Sequence, residues 1–376
     1  MVKFVSELEV INNSALRTLI YGTEEGSIRR VLTGAGGQSI LSLEEMAALV
    51  SPAAAGMLEE MAQMARAITA RRFGKTIQFY APLYISNYCR NSCVYCGFNA
   101  GNRVSRRTLA PDEIMAEARL LHERRIHQLL LVSGECPEQV SPTMLAEIIS
   151  SLQGLFPSIA VEVYPLEEDD YRRLVEAGAD GLTIYQETYD RQIYLQVHPA
   201  GPKRNFDHRL EAPERGGRAG FRQIGIGSLL GLNDWRLEAC FLYLHARFLM
   251  KHYWKSQTAI SFPRLRPAAG GYQPPHPVTD RELVQMICAL RLALPDVGLV
   301  LSTRESPEFR DHMIGIGITK MSAGSRTSPG GYLDEQGPEA EEQFSVHDGR
   351  SVAQVAEAVK NRGYDPVWKD WDRGFV

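Results

Sequence analysis

From about residue 76 onward, short apolar, β-branched runs alternate with helix-length stretches in which apolar residues recur every three or four positions. The runs are IQFYAPLYIS (77–86), HQLLLVSGE (127–135), IAVEVYP (159–165), GLTIYQE (181–187), QIGIGSLLG (223–231), TAISFPRLRP (258–267), GLVLSTRE (298–305) and GITKMSAGS (317–325). Between them, Leu145, Ile148, Ile149, Leu152 and Leu155 form one helical face, and Leu283, Met286, Ile287, Leu290 and Leu294 form another. Each face is wide enough to cover a sheet. Strands buried on both sides read as continuous apolar runs, so eight of them bridged by helix-sized segments predict a closed parallel (β/α)8 barrel of the TIM type. An open doubly wound sheet is the runner-up. Residues 1–75 lack the strand pattern and carry Ala, Leu, Met and Glu runs broken at Ser51–Pro52 and closed near Gly74, which predicts a helical extension. The expected division is therefore extension (1–75), barrel (76–326) and a carboxyl-terminal tail packing on the barrel (327–376), the tail containing the helix pattern SVAQVAEAVKNRG.

Composition narrows the functional classes. In 376 residues, 44% are hydrophobic, enough for a large core. Lys and Arg total 41 against 45 Asp and Glu, a net charge of −4, which gives no footprint for nucleic acid. The amino terminus, MVKFVSELEVINNSALR, lacks a basic-then-apolar signal, and the apolar stretch ACFLYLHARFLM is short and interrupted by His245 and Arg247. The expectation is a cytoplasmic protein with no membrane span. Six cysteines are too few for a disulfide scaffold, and three of them fall within the stretch NYCRNSCVYCGFN (87–99).

A barrel places its chemistry at the carboxyl ends of its strands. Six of these ends are polar here: Tyr84 and Ser86 before the cysteines, then SGE, YQE, PRLRP, STRES and SAGSRT. Directly after the first strand come Cys89, Cys93 and Cys96. A structural zinc site needs four ligands, and no further Cys or His lies nearby in sequence, although Cys136, Cys240 or Cys288 could supply one. The alternative is a 4Fe–4S cluster held by three thiolates, whose fourth iron stays open to bind a small molecule. Cys240 and Cys288 fall on apolar helix faces and read as small hydrophobes, while Cys136 has no assigned role. GIGSLLG and PGGY match neither GxGxxG nor GxxxxGK and are not read as phosphate loops.

The CxxxCxxC loop, with Tyr95 before its third cysteine and Gly97–Phe98 after it, resembles the radical S-adenosylmethionine signature. The resemblance extends over most of the chain through FYAPLYISNYC, RRTL, LLLVSGE, IYQETYD, FDHRLEAPERGGRAGF, IGIGSLLGL, HYWKSQ, SFPRLRP, LSTRESPEFRD, PGGY, QFSVHD and PVWKDWD. These are similar to the 2-iminoacetate synthases, the tyrosine lyases of thiazole biosynthesis. That family implies a 4Fe–4S cluster, S-adenosylmethionine, L-tyrosine as substrate, and p-cresol and 2-iminoacetate as products. It also implies reduced flavodoxin or ferredoxin as electron donor and a thiazole synthase partner; the basic cluster RVSRR reads either as a solvated surface or as a patch that helps to receive such an acidic donor. A hydrogenase maturase and an indolic-acid tryptophan lyase share parts of the pattern. The maturase holds a second cluster on carboxyl-terminal cysteines, and this chain has none after Cys288.

Position by position, the resemblance makes Cys89, Cys93 and Cys96 the cluster ligands and Phe98 the residue whose backbone approaches adenine. Glu135 matches the carboxylate that receives the methionine amino group. Gln186 and Glu187 are expected at S-adenosylmethionine or its ribose, with a structural pairing of Glu187 to an arginine of PRLRP as the competing reading. Arg264 and Arg266 alternate about Leu265 and are expected in the barrel mouth, at least one as a carboxylate partner. Arg304 matches the substrate-carboxylate anchor, Ser322 a second hydrogen bond to that carboxylate, and Tyr84 a tyrosine near the substrate amino group.

Overall fold

A computed structural model describes residues 3–34, 40–334 and 342–369. The end of the PVWKDWD motif and part of the predicted tail fall outside these residues. Among the described residues nine strands form one parallel sheet: β1 (Thr76–Ser86), β2 (Gln128–Ser133), β3 (Ser158–Glu162), β4 (Gly181–Glu187), β5 (Gln223–Ser228), β6 (Gln257–Ser261), β7 (Gly298–Leu301), β8 (Lys320–Ser322) and β9 (Asp365–Val367). The first eight close into a barrel because β1 is long enough to serve two neighbours. Its residues Gln78–Tyr80 pair with β8, and Ala81–Ser86 pair with β2. β9, absent from the expected elements, pairs with Thr76–Gln78 of the same strand.

Strand parity divides the barrel into two faces. On β1, Phe79, Ala81, Leu83 and Ile85 are buried under the helices, while Tyr80, Pro82 and Tyr84 line the interior. The interior is polar and partly hollow rather than filled with branched aliphatics. Gly227 on β5 makes room for it: a Cβ there would lie 2.6 Å from the Tyr185 ring and 2.7 Å from the Ser261 carbonyl. GIGS is thus a clearance for Tyr185, not a phosphate cradle.

Most expected strands are shorter at their carboxyl ends than the apolar runs suggested. TAISFPRLRP stops as a strand at Ser261, because Pro263 cannot donate to a ladder and the chain turns there into a loop held by Leu265 N–H to the Leu230 carbonyl at 2.8 Å. The residues shed in this way, SGE, FPRLRP and STRE among them, form the rim. Helices precede β1: Phe4–Glu9, Asn13–Tyr21, Glu25–Gly34, Leu43–Val50 and Leu58–Phe73. They share one continuous apolar core with the barrel. Phe4 stacks on His245 with ring centres 4.3 Å apart, and buried Gln285 donates to the carbonyls of Leu49 at 3.0 Å and Ser51 at 2.9 Å. Helix Val352–Asn361 follows the barrel and leads into β9. Among the described residues no helix is long and apolar enough to cross a membrane.

Candidate active site

The loop after β1 is fixed by its own backbone and by neighbours from three other segments. Arg90 N–H donates to the Glu135 carbonyl at 2.9 Å, Ser92 N–H to Ala200 at 3.0 Å, Val94 N–H to Val197 at 3.1 Å, and Gly97 N–H to Gln343 at 2.9 Å. Arg106 clamps it from below, donating to the carbonyls of Asn87, Phe98 and Asn99 at 2.7, 3.0 and 2.7 Å. Within the RVSRR cluster, then, Arg106 is a loop clamp and not a free surface charge. Gly134 completes the fit, since a Cβ there would meet the Tyr88 carbonyl at 2.2 Å.

This loop carries Cys89, Cys93 and Cys96 to one wall of an open cavity of about 890 Å³. Burial, and then the neighbouring thiols, push the Cys93 thiol up to about 12; burial with Cys89 beside it pushes Cys96 up to about 11. Thiolates so buried need positive charge beside them. No fourth cysteine joins them: Cys240 and Cys288 are fully buried in helices, and half-buried Cys136 donates to Glu138 at 3.5 Å. Among the described residues no three His, Cys, Asp or Glu converge tightly enough to chelate a single ion. Three thiols on one wall, without that convergence, suit a multi-iron cluster better than zinc.

The rest of this cavity is built from charges that satisfy one another. Glu135 accepts from Asn91 Nδ2 at 2.6 Å, and the same Nδ2 lies 3.7 Å from Cys89 Sγ. Glu187, held at φ 70°, accepts from Lys203 Nζ at 2.6 Å and lies 3.7 Å from Arg209. Burial would raise its pKa, but Lys203 and Arg209 outweigh burial and hold it below the usual carboxylate range. Its partners are therefore these two, not the arginines of PRLRP. Two carboxylates and two cations around one chamber fit a zwitterionic ligand such as S-adenosylmethionine. Phe98 is buried against Tyr84, edge to face at 5.9 Å, and lines the chamber.

Two of the expected cofactor residues lie elsewhere. Tyr185 and Glu187 point inward on β4, so by strand parity Gln186 faces the outer layer, with Nε2 3.4 Å from the Phe206 carbonyl. Arg264 turns outward to Asp280 at 2.7 Å and the Val278 carbonyl at 3.0 Å. It meets Arg266 on the Glu305 carboxylate, and only Arg266 lines the chamber.

Deeper in the barrel is a second cavity, of about 640 Å³. Arg304 leaves the rim of β7 and separates the two chambers. Its guanidinium stacks 3.3 Å from the centre of the Phe344 ring and has no ion-pair partner among the described residues. Burial lowers its pKa, against the pull of Tyr84, Tyr185, Glu187 and Glu162. Tyr84 and Ser322 line the same cavity. Tyr84 donates to Gln343 Oε1 at 2.7 Å, and Ser322 Oγ accepts from Thr303 N–H at 3.0 Å.

Asn91, Glu162, Lys203, Arg209, Gln343 and Phe344 also line these chambers, and none was singled out from sequence. For Glu162 a signal existed: it is the one charge in the apolar run IAVEVYP, two residues from inward-facing Ala160. Gln343 and Phe344 open the QFSVHD motif of the family resemblance, but nothing in it assigned them to the site, because they arrive from a loop distant in sequence.

A parallel barrel with a three-cysteine loop at the end of its first strand, beside a chamber for a zwitterion, defines a radical S-adenosylmethionine enzyme. Residues 83–244 match the Radical SAM superfamily, and residues 261–365 match the Biotin and Thiamin Synthesis associated domain. The chain is 45% identical to the 2-iminoacetate synthase of Salmonella typhimurium over 358 residues, 95% of this chain and 93% of the relative. Against the 2-iminoacetate synthase of Escherichia coli it is 46% identical over the same shares. It superposes on the FeFe-hydrogenase maturase HydG from Carboxydothermus hydrogenoformans with a TM-score of 0.87 and 33% identity, covering 98% of this chain and 84% of that one. The chain belongs to the 2-iminoacetate synthase family, and its cofactors are a 4Fe–4S cluster and S-adenosylmethionine.

Proposed function

We propose that the protein cleaves the Cα–Cβ bond of L-tyrosine, releasing 2-iminoacetate and p-cresol, with methionine and 5′-deoxyadenosine formed alongside, for the thiazole of thiamine. One observation carries the substrate side of this reading: Arg304, an unpaired buried guanidinium, stands between the cofactor chamber and a deeper, aromatic-lined cavity. A planar fork held there without a counter-ion is suited to the carboxylate of an amino acid. Tyr80 and Phe262 line the space beyond it, which suits a phenol ring.

In this reading Cys89, Cys93 and Cys96 hold the cluster, and Glu135 with Asn91 receives the methionine ammonium. When bound, the cluster and S-adenosylmethionine supply the primary carbon radical that takes a hydrogen atom from the substrate nitrogen. The protein's own residues orient the substrate. Arg304 holds its carboxylate, and Tyr84 and Ser322 border its amino acid end. The aromatic walls of the inner cavity would limit water at the ring as it departs. Reduced flavodoxin or ferredoxin is the proposed electron donor, a thiazole synthase the proposed recipient of the imine, and the cytoplasm the proposed compartment.

The test is anaerobic reconstitution with iron, sulfide, reductant, S-adenosylmethionine and L-tyrosine. p-Cresol should appear in proportion to 5′-deoxyadenosine. Formation of 5′-deoxyadenosine while tyrosine stays intact would refute the substrate assignment.

A further inference from the structure

The two cavities share six lining residues: Val132, Glu162, Tyr185, Pro263, Arg304 and Phe344. Where they meet is where a cofactor-derived radical and the substrate must meet. Three of the six are polar. Tyr185 hydrogen-bonds Ser261, and Arg304 is taken by the substrate carboxylate in the reading above. Glu162 remains. Its carboxylate, at the carboxyl end of β3, has no hydrogen-bond or ion-pair partner among the described residues.

An amino acid's nitrogen lies two bonds from its carboxylate carbon. A ligand anchored on Arg304 therefore presents its ammonium group within a few ångströms of that guanidinium. Glu162 is electrostatically coupled to Arg304 and completes a pair of opposite charges for a zwitterion. The chemistry needs more than binding. An ammonium N–H is a poor hydrogen-atom donor, because no lone pair remains to stabilise the radical left on nitrogen, whereas an amine N–H is a good one.

We infer that Glu162 is a catalytic base for this reaction: its carboxylate accepts a proton from the substrate ammonium and leaves the neutral amine from which hydrogen is then abstracted. One N–H bond breaks, its electron pair stays on nitrogen, and one O–H bond forms on Glu162. No oxidant or reductant is consumed in this step. The inference rests on the tyrosine-lyase reading for its substrate.

The surroundings support the assignment. Facing Glu162 are Tyr80 and Tyr84 from β1, Tyr185 and Glu187 from β4, and the cations Lys203, Arg209 and Arg304. Burial first, and then Glu187, raise its carboxyl pKa to about 7 against the pull of the three cations. A base with that pKa is near the optimum for proton transfer at neutral pH.

The experiment compares wild type, Glu162→Gln and Glu162→Asp as cluster-loaded proteins. Calorimetry with S-adenosylmethionine present measures binding of L-tyrosine and of 3-(4-hydroxyphenyl)propionate, which lacks the amine. Turnover is followed as kcat/KM for p-cresol against pH. Glu162→Gln should lose on the order of 10²-fold in kcat/KM near neutral pH. The deficit should shrink as pH rises and free amine accumulates. Its tyrosine affinity should fall while affinity for the amine-free ligand stays unchanged, and Glu162→Asp should keep the wild-type pH shape at reduced rate. A Glu162→Gln profile that follows wild type, or an equal loss for both ligands, would overturn the inference. Wild type that binds tyrosine without making p-cresol would overturn the lyase reading instead, while the binding comparison, which needs no turnover, still decides Glu162.

Discussion

The two chambers are built on opposite electrostatic plans. On the cofactor side Glu187 is paired with Lys203 and Arg209 and Arg266 with Glu305, while Glu135 has a hydrogen bond from the neutral amide of Asn91. At the junction with the substrate side, Arg304 and Glu162 have no ion-pair partner among the described residues. Burying an unpaired charge costs free energy that a partnered one recovers in part. In the proposed reading the cofactor chamber, apart from the Glu135 charge, is set before its ligand arrives, while the junction is completed by the ligand's own carboxylate and ammonium. That reading predicts selectivity for an amino acid, since a molecule lacking either group would leave a charge at the junction uncompensated.

Loss of a cluster ligand should have the largest effect, because it removes the group both chambers depend on. Cys93→Ala should abolish iron and sulfide retention after anaerobic reconstitution, and p-cresol formation with it. A variant that kept a full cluster and activity would break the assignment of three protein ligands. Next comes Arg304→Lys, which replaces a bidentate fork by a point charge. Tyrosine-dependent kcat/KM should fall by on the order of 10²-fold, the loss expected when one member of a buried charge pair is compromised. The cluster's electron paramagnetic resonance spectrum and S-adenosylmethionine binding should be unchanged.

Glu135→Gln sharpens the comparison from the other side. Gln keeps an acceptor for Asn91 and loses only the charge offered to the methionine ammonium. A charge-assisted hydrogen bond is worth about 1.5–3 kcal/mol, so S-adenosylmethionine should bind roughly ten- to a hundredfold more weakly. The measurement is equilibrium binding to the reconstituted protein. A loss in Glu135→Gln that exceeds the loss in Arg304→Lys would contradict the contrast between a largely self-neutralised chamber and a ligand-completed one.

The same contrast explains what could be read from sequence. The cofactor side is largely local: thirteen residues, 87–99, carry all three thiols, and Glu135 lies two residues past the end of the next strand. Spacing therefore grouped the three thiols, and the family resemblance added Glu135. The substrate side draws Tyr84, Glu162, Arg304, Ser322 and Phe344 from points spread across 261 positions, so spacing could not gather them: Tyr84, Arg304 and Ser322 were named through the family resemblance, and Glu162 and Phe344 were not named. Strand parity corrects Gln186, which shares a strand end with Glu187 but points to the opposite face. The barrel was legible because eight buried strands repeat one pattern. β9 was not, since DPV has neither the length nor the alternation of a strand and owes its pairing to the lower half of β1.

The smallest expected effect is one of stability, and it decides how any acid loss of activity is to be read. His245 is buried, stacks on Phe4 and hydrogen-bonds the Tyr189 hydroxyl at 2.8 Å. Burial lowers its pKa from the usual value near 6.5 to about 3. The unfolded chain binds a proton that the folded chain refuses, so stability is full above about pH 6.5 and declines as pH falls toward 3. At pH 5 the cost is about 2 kcal/mol, from 1.36 kcal/mol for each unit below 6.5. A domain stable by about 5–15 kcal/mol stays folded through that loss. Urea unfolding of the protein from pH 7 to 5 should therefore show a falling midpoint without collapse, and His245→Gln should reduce that slope, the remainder coming from His198, whose pKa burial lowers in the same direction. Between pH 8 and 6 the same protein remains folded, so a fall in tyrosine cleavage over that interval reports protonation at the junction, where Glu162 titrates at about 7, and not unfolding of the barrel.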